Sequence, residues 1–146
     1  MTPSIEVEYE ASVTCSKFHR SDASVRALMG PIGSGKSVAC CWEVFRRCQE
    51  QEQGPDGYRK SRWVIIRNSY RELQDTTIKT WLDWFPKELG TWKESDMTQT
   101  IEFNDIKAEI LFRSLDKPAD IKKLLSLELT GGFVNEAREI PFAVIK

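Results

Sequence analysis

The spacing of apolar positions along the chain predicts alternating strands and helices. Residues 24–29 alternate weakly in polarity and end at a glycine, as a strand that leads into a tight turn does. From Lys36 onwards, apolar side chains recur at helical spacing: Val38, Cys41, Trp42, Phe45 and Cys48. Glu43 and Arg47 are four residues apart and oppositely charged, so we expect them to pair on the exposed face of this helix.

The rest of the chain predicts further elements of both kinds. Residues 62–68 (RWVIIRN) are apolar at their centre, as in a strand covered on both faces. Ser69 and Glu72 then fit a capping box for a helix that Pro86 ends. Residues 99–115 predict a hairpin that turns at Asn104 and Asp105. A short helix within residues 117–129 and a strand at 131–134 follow, and this order predicts an α/β fold with a parallel sheet.

Composition narrows the class of protein. The chain has 146 residues, which indicates one domain, and its apolar (40%) and charged (29%) fractions are typical of a soluble globular protein. The net charge of -1 gives no overall basic field, so DNA contacts would need a local patch or several subunits. The four cysteines lack the spacing of a zinc site, and we interpret them as reduced packing residues of a cytosolic protein. No signal peptide or membrane-spanning run is predicted.

One segment matches the phosphate-binding pattern G-x-x-x-x-G-K-[ST]. Its residues are Gly30, Pro31, Ile32, Gly33, Ser34, Gly35, Lys36 and Ser37. Glycines let successive backbone N–H groups face a phosphate, and the following helix adds the positive end of its dipole. The Lys36 ammonium group can reach the β- and γ-phosphates, and the Ser37 hydroxyl can bind Mg²⁺. The pattern therefore predicts binding of a nucleoside triphosphate, the alternative being a chance glycine-rich turn.

A carboxylate that could activate water is predicted after the last strand, where Asn135 and Glu136 follow residues 131–134. Ligands of open parallel sheets bind at the carboxyl ends of the strands, so Glu136 is expected beside the γ-phosphate as general base. Asn135 stands where many such enzymes have an aspartate that holds Mg²⁺, and its neutral carbonyl would hold the metal more weakly. The alternative is an ordinary strand end with a surface glutamate.

Three segments together resemble the ATPase domain of the large terminase subunit of tailed bacteriophages. They are MGPIGSGKSVACCWEVFRR, VIIRNSYRELQDTTIKTWLDWFP and GGFVNEAREIP, within a resemblance that covers residues 19–146. The glycine pattern is shared by many families, whereas SYREL and NEARE are more discriminating. The resemblance implies a P-loop fold of the RecA-like, additional-strand type with a mostly parallel sheet. It also implies ATP hydrolysis with Mg²⁺ that drives double-stranded DNA into a procapsid.

The resemblance implies roles for particular residues. Lys36 and Glu136 would be catalytic, and Ser37 and Asn135 would lie on the metal side of the site. Arg67, at the tip of the second strand, falls where related translocases place a residue that senses DNA or nucleotide, although such an arginine is often simply solvated.

Ring ATPases often complete a site with an arginine from the neighbouring subunit. The candidates are Arg113 and three lysines that follow it, Lys117, Lys122 and Lys123, the alternative being a residue elsewhere in the chain. The partners implied are ATP, double-stranded DNA, the portal protein, the small terminase subunit and further copies of the chain in a ring. The location implied is the host cytoplasm and, transiently, the procapsid portal.

The chain ends ten residues after Glu136, so we interpret it as the N-terminal part of a longer ATPase domain that lacks a nuclease domain, and we expect weak hydrolysis by it alone. Three alternatives remain open. They are another RecA-like translocase or helicase, an interaction module that binds nucleotide without hydrolysis, and a small-molecule kinase.

Overall fold

The structure, a computed structural model, describes residues 8–31 and 34–139. The helices are α1 (Val13–Arg20), α2 (Lys36–Gln49), α3 (Tyr70–Glu72), α4 (Lys79–Trp84) and α5 (Pro118–Leu125), with a π-helical segment, Leu73–Ile78, between α3 and α4. The strands are β1 (Arg59–Arg67), β2 (Gly90–Lys93), β3 (Thr98–Phe103), β4 (Ile106–Ser114) and β5 (Gly131–Val134). Single 3₁₀ turns lie at Lys87–Leu89, Glu94–Asp96 and Ala137–Glu139.

The described strands form one mixed sheet in the order β2-β3-β4-β1-β5. β1 is parallel to both β4 and β5, whereas β3 is antiparallel to both β2 and β4. The predicted hairpin is confirmed, with Asn104 in the left-handed region at φ 52°. Because a two-residue turn can only join antiparallel strands, the expectation of a mostly parallel sheet is wrong for this half of the sheet. The fold is α/β with a mixed sheet.

The strand predicted for residues 24–29 is absent from the described part of the chain, where these residues have no regular secondary structure. Val25 and Met29 are 89% and 93% exposed. A strand is stabilised by its neighbours, and both edges of β1 are already paired, with β4 and β5. Alternating polarity alone therefore did not produce a strand here. α1 and β2, in turn, were not predicted.

Residues 70–84 form one helical stretch, as predicted. The Ser69 hydroxyl accepts a hydrogen bond from the Glu72 N–H at 3.2 Å, which confirms Ser69 as the N-cap. The Glu72 carboxylate does not complete the capping box among the described contacts, because it lies 3.6 Å from the Arg67 guanidinium. The last helical turn closes at Phe85, directly before Pro86.

The hydrophobic core lies on both faces of the sheet. Trp63 and Ile65 of β1 pack on one face with α2 and α4, and Val64 and Ile66 face the other side, where α5 lies. β1 is therefore covered on both faces, as its apolar centre predicted. The largest fully buried side chains include two aromatic pairs, Trp81 with Phe85 and Trp81 with Phe112.

Two further sequence-based expectations have different outcomes. The four cysteines are free thiols, with Cys15, Cys41 and Cys48 buried. Glu43 does pair with Arg47 at 2.7 Å, but the expectation that it lies on an exposed face is wrong, because Glu43 is 5% exposed. It is buried because α1 and the following segment cover that side of α2.

Within the described residues, no helix is long and apolar enough to span a membrane.

Candidate functional site

The glycine-rich loop ends at the N-terminus of α2. Gly35 has φ 81° and ψ 10°, a left-handed conformation that glycine adopts without strain, and α2 begins at the next residue. Because Gly35 has no side chain to cap the helix, the first N–H groups of α2 remain available to an anion. Ile32 and Gly33, which belong to the predicted phosphate loop, lie outside the described residues.

The described part of the loop folds closely on itself. A Cβ atom at Gly30 would lie 2.8 Å from the Ser34 hydroxyl oxygen, and the Ser34 N–H donates to the Pro31 carbonyl at 3.3 Å. The Lys36 ammonium group donates to the Gly30 carbonyl at 2.7 Å and to the Pro31 carbonyl at 3.4 Å. Both partners are neutral carbonyl groups, so they do not balance the positive charge of Lys36, which faces the loop. Such an arrangement can attract a phosphate.

The end of β5 lies beside the start of α2. The Ser37 hydroxyl donates to Asn135 Oδ1 at 3.3 Å, although the two residues are 98 positions apart in the sequence. Asn135 Nδ2 donates to the Thr77 hydroxyl oxygen at 2.8 Å. Asn135 and Thr77 are 6% and 1% exposed, so both ends of the Asn135 amide are engaged in a buried environment. The structure thus brings together the two residues expected on the metal side.

Two glycines allow β5 to lie this close to β1. A Cβ atom at Gly131 would lie 2.5 Å from the Trp63 ring, and one at Gly132 would lie 2.8 Å from the Val64 side chain. The Asn135 N–H extends the parallel pairing by donating to the Ile66 carbonyl at 2.8 Å. The carboxyl ends of β1 and β5 therefore coincide at the edge of the sheet where α2 begins.

Glu136 follows Asn135 at this edge. It has φ 54°, a conformation that is uncommon for a residue other than glycine, and its side chain is 21% exposed. Its carboxylate pairs with the Arg138 guanidinium at 3.2 Å, and its carbonyl accepts from the Glu139 N–H at 3.0 Å. Glu136 is thus held in a tight turn next to Asn135 with a cation as its partner.

Arg67 is held at the end of β1 by three contacts. Its guanidinium lies 3.2 Å from the Glu139 carboxylate and 3.6 Å from the Glu72 carboxylate, and it donates to the Thr76 hydroxyl at 3.2 Å. Its side chain is 11% exposed, so the alternative of a simply solvated arginine is wrong. Arg67 joins β1, the π-helical segment and the turn that follows Glu136.

Arg113, the candidate for a role in a neighbouring site, is engaged within its own chain. It donates to the Asp96 carbonyl at 2.7 Å and to the Phe112 carbonyl at 2.9 Å. Burial lowers the pKa of Arg113, an effect that the Asp96 carboxylate partly offsets. Arg113 lies on β4 opposite Ile66 of β1, two strands from β5 at the same edge of the sheet. Among the lysines, Lys122 and Lys123 are exposed on α5, and Lys117 precedes it. A contribution to a neighbouring subunit stays a prediction.

Thr77 is the residue of this site that the sequence reasoning missed. It lies four residues after Leu73 and four before Trp81, on the buried stripe of the helix, where an apolar side chain is the usual choice. A polar residue on a buried helical stripe requires a hydrogen-bond partner, so the position of Thr77 on this stripe was the signal in the sequence that it contacts another polar group.

The fold and the site define an α/β protein in which the helix that follows a glycine-rich segment begins beside the end of a parallel strand. A family model described as "Terminase large subunit, T4likevirus-type, N-terminal" matches residues 27–143. The chain therefore belongs to this family, which confirms the resemblance noted in the sequence. The family acts in phage DNA packaging, its members are generally ATPases, and DNA and the packaging machinery are its general partners. Neither the curated proteins nor the solved structures give a significant match.

Proposed function

We propose that this chain is the ATP-binding part of a DNA-packaging motor and that residues 30–37 bind the triphosphate. The observation that carries the proposal is the contact of Ser37 with Asn135, because it joins the end of the glycine loop to the strand end that is followed by Glu136. On this proposal the fold is of the P-loop, RecA-like type, and residues 24–29 are its loop-leading segment. The triphosphate lies between the N-terminus of α2 and the end of β5.

Mg²⁺ suits the oxygen donors of Ser37 and Asn135. Ser37 and Asn135 offer neutral oxygen atoms, and the described residues contain no cluster of three or more His, Cys, Asp or Glu side chains for a metal. Mg²⁺ is commonly bound by a few protein oxygens together with substrate phosphates and water, which matches so small a protein contribution. When bound, the metal would neutralise charge on the β- and γ-phosphates.

The remaining steps belong to residues of the chain. The first N–H groups of α2 and the Lys36 ammonium group bind the phosphates, and the lysine then exchanges its loop carbonyl partners for phosphate oxygens. The Glu136 carboxylate accepts a proton from the attacking water, which requires a geometry in which Arg138 no longer holds it. Hydrolysis would drive movement of double-stranded DNA, with the portal protein, the small terminase subunit and a ring of identical subunits at the procapsid.

A second function, binding of nucleotide without hydrolysis, is favoured by two observations. Asn135 brings no negative charge to the metal side, and the Glu136 carboxylate is paired with a guanidinium at 3.2 Å. Such a chain would change conformation or bind its partners in response to ATP.

The two functions are separated by binding and single-turnover experiments on two variants. Lys36→Ala should weaken ATP binding about tenfold or more, because a hydrogen bond from a charged group contributes about 1.5–3 kcal/mol. Glu136→Gln should bind ATP normally and lose hydrolysis, measured with protein in excess over labelled ATP. Lys79→Ala and Glu88→Gln, both at exposed positions, are the matched controls. Unchanged ATP affinity in Lys36→Ala would refute the site, and single-turnover hydrolysis by the wild type that Glu136→Gln lacks would exclude the second function.

A further inference from the structure

The helical stretch that faces the site contains an irregularity at its centre. Leu73–Ile78 form a π-helical turn between α3 and α4. Such turns cost stability and occur frequently at functional sites. This one places two neighbouring hydroxyl groups on two different residues of the sheet edge: Thr76 contacts Arg67, and Thr77 contacts Asn135.

The contact of Thr77 matters because the Asn135 side chain has two different ends. Its carbonyl oxygen accepts from the Ser37 hydroxyl, and its NH₂ group donates to the Thr77 hydroxyl oxygen. With the amide reversed, the NH₂ group would instead point at the Ser37 oxygen. Both arrangements fit the same space, and the Thr77 hydroxyl could donate to a reversed amide as readily as it accepts from the observed one, so this contact fixes where the Asn135 side chain lies and not which way it faces.

The orientation decides what Ser37 can offer to a cation. While the Ser37 O–H donates to Asn135 Oδ1, this bond uses neither lone pair of the serine oxygen, so both can bind a metal ion. In the reversed orientation, the NH₂ group would occupy a lone pair of Ser37 and present its own positive hydrogens to the cation. A bound cation would favour the observed orientation, in which the NH₂ group needs an acceptor at its far end, and the Thr77 hydroxyl oxygen is that acceptor.

We propose that Thr77 is a positioning residue that anchors the far end of the Asn135 amide and thereby holds the amide beside Ser37 for Mg²⁺, an inference that rests on the proposed function of the site. Thr77 acts through Asn135, since its hydroxyl is bonded to the far end of the amide from Ser37. Its burial protects this bond from competition by water, because the side chain is 1% exposed.

The inference is tested by equilibrium titration of ATP with Mg²⁺ and with EDTA, for the wild type, Thr77→Val and Thr77→Ser. Valine keeps the shape but cannot accept from Asn135 Nδ2, whereas serine keeps the hydroxyl. Thr77→Val should weaken Mg²⁺-dependent ATP binding by about 10- to 100-fold, the usual effect of losing a group that orients a metal ligand. Binding in EDTA should change less than about twofold, and Thr77→Ser should restore the wild-type behaviour. Thr80→Val, on α4, is the matched control.

A double variant separates anchoring of Asn135 from packing of Thr77. In an Asn135→Ala background no amide remains for Thr77 to anchor. Thr77→Val should then weaken Mg²⁺-dependent binding by less than about threefold, whereas a purely structural role of Thr77 would cost the same in both backgrounds.

The outcomes distinguish the inference from the proposed function. If the wild type binds no ATP under either condition, the proposed function is wrong and the inference falls with it. If the wild type shows Mg²⁺-dependent binding and Thr77→Val retains it, the inference alone is wrong. Equal losses with Mg²⁺ and with EDTA, together with a lower melting temperature, would also overturn it in favour of a structural role.

Discussion

Glu43 provides the sharpest test of how the first part of the chain is held on α2. Its carboxylate accepts from His19 Nδ1 at 2.6 Å, Arg26 Nη1 at 2.7 Å and Arg47 Nε at 2.7 Å, and Arg46 lies 3.3 Å away. These partners come from α1, from the segment that leads to the glycine loop, and from α2 itself. Glu43→Gln removes the charge and keeps the shape.

The size of the effect follows from the pKa of this carboxyl group. Burial raises the pKa of Glu43, but hydrogen bonds from His19, Arg47 and Arg26 outweigh burial and lower it from 4.5 to about 2. A shift of this size corresponds to about 3 kcal/mol of unfolding free energy at neutral pH. Because the folded-state pKa is depressed, the contribution is complete above pH 4.5 and is lost as the pH falls through about 2. Linkage gives a loss of about 2 kcal/mol between pH 7 and pH 3.

Urea unfolding at constant ionic strength measures this contribution. The unfolding free energy of Glu43→Gln should lie about 3 kcal/mol below that of the wild type at pH 7, and the gap should shrink by about 2 kcal/mol at pH 3, where protonated glutamic acid resembles glutamine. Glu50→Gln is the control, because that side chain is 45% exposed, and its expected effect is within about 0.5 kcal/mol. An equal difference between wild type and Glu43→Gln at both pH values would refute the reasoning.

Two further predictions concern the sheet and its packing. Gly131→Val places carbon atoms where the Trp63 ring lies, since even a Cβ atom would be 2.5 Å away; urea unfolding should show a loss of about 1–3 kcal/mol, and an unchanged midpoint would contradict the close packing of β5. Gln99→Leu leaves the Trp81 indole N–H, which now donates to Gln99 at 2.6 Å, without its partner. It should cost about 1–3 kcal/mol, with exposed Gln74→Leu as control, and an effect below about 0.5 kcal/mol would contradict it.

The parts of the fold that were predictable are those specified by local patterns. The helix from Lys36, the buried strand β1 and the hairpin at Asn104 each depend on residues close together in the chain. β2 was missed because four residues, Gly90–Lys93, are too short for a clear alternation. Residues 24–29 show the opposite error, because their alternation suggested a strand but no neighbouring strand pairs with them in the described structure.

The candidate site was predictable where a motif defines the chemistry. The glycine pattern singled out Lys36 and Ser37, and the position after a parallel strand singled out Asn135 and Glu136. The pairing of Glu136 with Arg138 was not predictable, since nothing in the spacing requires that turn. Thr77 was missed because its place on the buried stripe of the helix indicates only that its hydroxyl needs a partner, and not that the partner is Asn135.

By itself, the sequence determined the helix from Lys36, the buried strand β1, the hairpin at Asn104, the glycine pattern before α2 and the membership of the family, because each of these depends on residue types at short, fixed spacings. Only the tertiary structure decided that Ser37 meets Asn135 from 98 positions away, that Thr77 holds the other end of the amide, and that Glu43 is buried. The physical reason is that contacts between distant residues depend on how the sheet edge, the π-helical turn and α1 pack together. That packing is a property of the whole chain, and no short segment encodes it.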